Sequence, residues 1–247
     1  MRVRRMTRQC RCAALRSLVV AGVIGGAAFV QASPSGLNNT PTADTCSPET
    51  LVLQTWTGLG YDRKPDEWVG TKYGLFNGPT IGAAEIGVDW KTNGDPEKQP
   101  VFQGKYAIGA AANGPQLGVG IANVSQDKEL NGNPMPYSVL SYDIKGWLRV
   151  HAGYGFQNDN NGAFGGLDRT FTLGSVNLML CGDITQTNDR KDALLAPGIK
   201  ISPSDAFKMD GVVGAVIKNM AFETWVNFPS TGAGESYVLK LDYAVHF

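Results

Sequence analysis

Few residues in this chain are suited to acid–base or nucleophilic chemistry. The histidines are His151 and His246. His151 follows Arg149 at a two-residue spacing, and Asp143 lies across the intervening Lys145-Gly146 step, so an imidazole and a carboxylate could pair there. As the general base of a lipid-acting hydrolase, His151 would need a serine beside it, and no recognisable serine motif supports that role. His246 belongs to a terminal run of alternating residues, where it reads as a polar filler. The stretch Gln157-Asn158-Asp159-Asn160-Asn161-Gly162 offers oxygens of the kind calcium binds, but its spacing is not that of a helix–loop–helix calcium site. It reads as a surface loop. Gly118-Val119-Gly120 and Gly153-Tyr154-Gly155 lack the strand–loop–helix setting of a nucleotide loop. No cofactor and no metal site is expected.

Four cysteines are present. Residues 1–32 have the form of a cleaved export signal: a basic start, an apolar run from Leu18 to Val30, and small residues suited to cleavage after Ala32. Cys10 and Cys12 would leave with it. Cys46 and Cys181 would then meet an oxidising compartment, which makes them the pair available for a disulfide; two free thiols are the alternative.

The zero net charge hides an asymmetry. Residues 1–32 hold six of the 22 basic residues and no acidic one, so the remainder carries 16 basic against 22 acidic residues, a net −6. That balance argues against nucleic acid as a partner.

The elements that would position these residues are short and extended. Residues 33–50 are polar and rich in Pro, Asn and Thr, which predicts a periplasmic linker or plug-like arm. Beyond Leu51, alternating runs recur between Gly, Asn, Asp and Pro clusters. They predict strands at 51–58, 67–76, 81–91, 101–111, 116–124, 136–145, 147–156, 169–181, 193–202, 206–217, 220–228 and 236–247. Tight turns alternate with longer polar loops up to residue 181. After it the alternation blurs, and the count is 12 or 10. No helical period persists beyond the export segment.

Parity carries the most information. In 147–156, Leu148, Val150, Ala152, Tyr154 and Phe156 oppose Trp147, Arg149, His151, Gly153 and Gly155. In the last run, Tyr237, Leu239, Leu241, Tyr243, Val245 and Phe247 form one wholly apolar face, opposite Ser236, Val238, Lys240, Asp242, Ala244 and His246. This ending resembles the C-terminal signal strand of Gram-negative outer-membrane β-barrels, with a terminal Phe and apolar residues at every second position before it. The resemblance covers the last dozen residues closely and the rest only as architecture. It implies an all-β fold over 51–247, a closed antiparallel up-and-down transmembrane barrel. It also implies outer-membrane lipid and the barrel-assembly machinery as partners. Trp56, Trp68, Tyr73, Trp90, Tyr106, Tyr137, Trp147, Tyr154, Trp225 and Tyr237, among others, would form interfacial girdles. The lumen would take Lys72, Glu85, Asp89, Lys105, Asp143, Arg149, His151, Lys200, Lys208, Asp210, Glu223, Lys240 and Asp242. Such mixed signs fit a narrow passive channel for small solutes or ions, or a closed barrel with a structural or surface-interaction role. An outer-membrane lipid enzyme is the weakest of the three readings.

Overall fold

The computed structural model describes residues 36–60, 65–78, 81–93, 100–109, 114–126, 133–157, 161–187, 191–231 and 234–247. The expected export segment with Cys10 and Cys12, and residues 158–160 of the 157–162 loop, lie outside them.

The described chain is a closed barrel of twelve antiparallel strands: β1 (Thr50–Gly60), β2 (Asp66–Gly78), β3 (Gly82–Lys91), β4 (Val101–Gly109), β5 (Pro115–Val124), β6 (Met135–Ile144), β7 (Leu148–Gly155), β8 (Gly162–Leu173), β9 (Val176–Thr187), β10 (Asp192–Pro203), β11 (Met220–Pro229) and β12 (Ser236–His246). Each strand pairs with its sequence neighbour, and β12 returns to β1 in register from Thr50↔His246 to Gly60↔Ser236. Closure removes the exposed sheet edge. The β6–β7 turn shows how sequence fixes a hairpin. Lys145 and Gly146 both adopt positive φ, 52° and 68°, as a tight two-residue turn between twisted strands demands.

The two faces separate as parity requires. Leu53, Ile86, Leu140, Leu180, Leu195 and Leu241 are exposed on the outside. Glu85, Lys105, His151, Asp183, Lys200, Glu223 and Asp242 are buried on the inside. Outward aromatics gather at both rims: Trp90, Phe156, Phe228 and Tyr237 near the long loops, and Phe76, Tyr142, Trp147, Phe222 and Phe247 near the short turns. Trp56, Trp68, Tyr137 and Trp225, expected in the girdles, instead share the inward parity. Trp56 and Trp68 face each other across β1 and β2, with rings stacked 5.7 Å apart.

The total of twelve strands holds, but two of the expected strands do not. The run 169–181 is a hairpin. Leu173 pairs with Val176 around Gly174, whose φ is +62°. Apolar residues continue through this turn and mask it. β8 begins at Gly162, within the expected 156–168 loop, because Gly162, Gly165 and Gly166 are strand residues and not breakers. The run 206–217 is no strand: it holds a connection followed by α1 (Gly211–Lys218). Val212, Val213, Val216 and Ile217 repeat at helical spacing, not by alternation.

The segment 36–49, expected as a periplasmic linker or plug-like arm, lies inside the barrel. Leu37, Thr40, Thr42, Ala43 and Cys46 are all buried. A turn closed by Leu37 N–H donating to Thr40 O, with a bridge between Gly36 and Pro41, folds the segment back on itself. It leaves the lumen beside β2, where Pro48 bridges Gly74 in parallel. The wall makes room for it. A Cβ on Gly74 would collide with the Ser47 backbone, and one on Gly166 would collide with Leu37.

Candidate functional site

The lumen is the site. Its charged side chains come from many strands and meet in two groups. On one side, β3 and β4 place Glu85 and Lys105 opposite each other, with Lys105 Nζ 3.7 Å from the Glu85 carboxylate. β7 and β8 add Arg149, His151 and Asp168. His151 Nε2 lies 2.8 Å from Asp168 Oδ2 and its Nδ1 lies 2.7 Å from Ser141 Oγ. On the other side, Glu223 of β11 sits 3.3 Å from Lys200 Nζ and 3.5 Å from Lys240 Nζ, and Lys240 is 3.2 Å from Asp242. Between the groups, Asp89 accepts from Gln54 at 2.6 Å and from Gln103 at 2.9 Å.

The inner segment is held by these same side chains, largely through its backbone. Lys200 Nζ donates to Gly36 O and Lys105 Nζ to Thr42 O, at 2.8 and 2.9 Å. The amides of Asn39 and Thr40 donate to Asp183, that of Ala43 to Ser141 Oγ, and that of Cys46 to Glu85. Arg149 donates to both oxygens of Asp44, at 2.6 and 2.7 Å. Burial raises the Asp44 pKa, but the Arg149 guanidinium outweighs it and holds the carboxyl below its ordinary value. These anchors come from β3, β4, β6, β7, β9 and β10, and the Asn38 and Asn39 side chains add bonds to Ala196 O of β10, Cys181 of β9 and Asn227 of β11.

Above the segment, on the long-loop side, a polar cavity of about 370 Å³ opens. Its floor is Gly36 to Pro41, and its wall includes Gln54, Trp56, Lys72, Asp89, Gln103, Tyr137, Trp225 and Lys240. Lys72 forms no ion pair within 4 Å among the described residues.

Ser141, His151 and Asp168 stand in the order of a nucleophile, base and acid, the constellation that sequence reasoning sought without a serine. The proton inventory gives it another role. Ser141 Oγ accepts the Ala43 N–H, so its own proton is free for Nδ1, and Nε2–H is left for Asp168. The Ala43 N–H points at Oγ, which places that oxygen in the peptide plane and not above the Thr42 carbonyl carbon. Ser141 holds the segment, and His151, braced by Asp168, holds Ser141.

Of the expected lumen charges, Lys72, Glu85, Asp89, Lys105, Arg149, His151, Lys200, Glu223, Lys240 and Asp242 share the inward parity. Asp143 also points inward, but at the turn, where its carboxylate accepts the Gly146 N–H and not a bond from His151. Lys208 and Asp210 do not belong to this set: both are exposed on the connection before α1, because the expected strand there is absent. Asp44, Asp168 and Asp183 were missed. The latter two fell outside the predicted strands, although Phe164, Gly166 and Asp168 alternate correctly once β8 is extended.

Cys46 and Cys181 are both free and buried. Cys46 adjoins Glu85 on β3. Cys181 of β9 packs with Leu37 and Met179, its Sγ 3.3 Å from Asn38 Oδ1. Cys46 rides on the inner segment and Cys181 on the β9 wall, and the pair is not bridged in this structure. Burial, then the Glu85 carboxylate, pushes the Cys46 thiol up to about 12. No helix among the described residues is long and apolar enough to cross a membrane.

No protein-family model matches the sequence, and no curated protein matches it significantly. Solved structures do match the fold. The KdgM porin is 15% identical with a TM-score of 0.51, over 80% of this chain and 99% of that one. The KdgM porin in complex with disordered oligogalacturonate is 14% identical with a TM-score of 0.50, over 80% and 99%. The NanC porin is 11% identical with a TM-score of 0.48, over 77% and 98%.

Proposed function

We propose that this protein is an integral outer-membrane barrel that serves as a narrow passive channel for small polar solutes or ions. The observation that carries the reading is the division of the sheet into an outer apolar belt and an inner polar lattice. Some thirty-five large apolar side chains are exposed, most of them on outward strand positions. In water that surface would be far larger than any patch a soluble monomer tolerates. In hydrocarbon it is the expected solvent match, with aromatic rims at the two interfaces. The likeness to porin folds supports the same reading, and with it passive permeation as opposed to catalysis. Export through residues 1–32 and assembly through the outward residues of β12 belong to this proposal.

A second reading, a closed barrel with a structural or surface-interaction role, is favoured by one observation: residues 36–49 and the ion pairs fill much of the lumen. Single-channel recording separates the two. Purified barrel in planar bilayers should show discrete conductance steps. Their absence in a correctly folded sample would favour the closed barrel, and recovery from the soluble periplasmic fraction would overturn both.

A further inference from the structure

We propose that the inner wall is a binding site for a folded-back peptide segment, and that residues 36–46 occupy this site in cis as a displaceable occupant. The wall contacts explain the proposal. Glu85, Lys105, Ser141, Asp183 and Lys200 each bind a backbone N–H or C=O of the segment. Recognition of main-chain groups does not depend on which side chains follow, so the ligand class is a polypeptide. Side chains add requirements at three positions: a carboxylate at Asp44 for Arg149, and amides at Asn38 and Asn39 for Ala196 O and Asn227. The complementary groups also come from seven strands around the barrel, so the site encircles its ligand and is not a single stripe.

The contents of the site distinguish it from a barrel core. A permanent core would be apolar and interlocked. Here the buried apolar contacts of the segment are few: Leu37 with Met179 and Cys181, and Ala43 with Tyr137, Val139 and Phe164. Polar contacts dominate, and water can replace each of them if the segment leaves. The lumen would then keep its own counter-charges. Lys105 retains Glu85, Arg149 retains Asp168 at 3.9 Å, and Lys200 retains Glu223. Asp183, which receives the Asn39 and Thr40 groups, is the wall charge that would pass from the segment to water. The proposal rests on the barrel reading but not on conduction.

The two native thiols report occupancy. Cys46 rides on the segment, and Cys181 lies on the wall beneath Leu37 and Asn38. The full chain would be reconstituted in vesicles and exposed to a maleimide, with labelling of each cysteine read by peptide mass. The ligand probe is a synthetic peptide copying residues 36–49 with serine at position 46. With wild-type protein, excess peptide should displace the segment, so that Cys46 labels faster while Cys181 stays protected. Asp44→Asn should speed labelling of both thiols by roughly ten- to hundredfold, the loss expected from two charge-assisted hydrogen bonds. Added peptide should then slow Cys181 again and leave Cys46 fast. A neutral oligosaccharide of similar size should do neither. Unchanged labelling of both thiols in Asp44→Asn, together with no effect of saturating peptide on the wild type, would overturn the proposal. Because the readout is chemical, a barrel that never conducts can still pass this test, and a conducting one can fail it.

Discussion

The guanidinium of Arg169 stands over the ring of Trp147, 5.6 Å from its centroid. Arg169 is paired with Leu180 and so has outward parity, opposite to that of the lumen charges. It also lies 4.6 Å from the Phe171 ring centroid. Both rings belong to the short-turn rim, where a long cation can lay its stem on apolar surface and keep its head at the interface. Its position tests where the belt ends.

Arg169→Ala should change barrel stability by no more than about 1 kcal/mol, the scale of an exposed cation–π contact. Leu140→Arg, which puts the same charge at mid-strand on β6, should cost about 2–4 kcal/mol. Urea unfolding in vesicles, followed by tryptophan fluorescence, measures both. Equal costs for the two would mean that mid-strand outward positions do not face hydrocarbon.

The clamp at Ser141 and His151 predicts structure without catalysis. His151→Ala removes the acceptor of Ser141 and the partner of Asp168, so it should destabilise the fold by about 1–3 kcal/mol. Lipid hydrolysis by the purified wild type should be no faster than by this variant. A hydrolytic rate abolished by His151→Ala would restore the enzyme reading.

Glu223 answers two lysines at once, so neutralising it should be costly. Glu223→Gln leaves Lys200 and Lys240 with reduced compensation, and an expected loss is about 3–5 kcal/mol for a broken buried pair. Lys200→Met in the same chain should recover part of that loss, since one uncompensated cation goes. Additive losses in the double variant would show that Glu223 and Lys200 are not coupled.

Much of this architecture was legible because parity survives in single strands. Lys72, Glu85, Arg149, Lys240 and Asp242 were placed on the inner face from alternation alone. What failed was punctuation. Gly174 looked like part of one strand because Leu173 and Val176 continue the apolar text. Gly162 and Gly166 looked like a loop because glycine breaks strands in most contexts. Asp168 and Asp183 were lost with those boundaries. The inner segment was harder still. Nothing in Gly36 to Glu49 alternates, and its anchors lie up to 164 positions away, as with Gly36 and Lys200. Backbone recognition leaves little trace in the sequence of the segment recognised.

Ion preference should depend on Lys72. It lines the cavity above the inner segment together with Asp89 and Lys240. Asp89 is held by two amides and Lys240 by two carboxylates, which leaves Lys72 as the cation with the least direct neutralisation on that wall. A charge in a narrow, low-dielectric passage biases the ions that enter it. Lys72→Glu should therefore shift the reversal potential in a salt gradient toward cations, by roughly two- to fivefold in permeability ratio. Lys91 supplies the control. It pairs with Asp66 and lies over the Trp68 ring near the long-loop rim, so Lys91→Glu should shift the potential less. A larger shift from Lys91 than from Lys72 would place the selective constriction at the rim instead of above the segment.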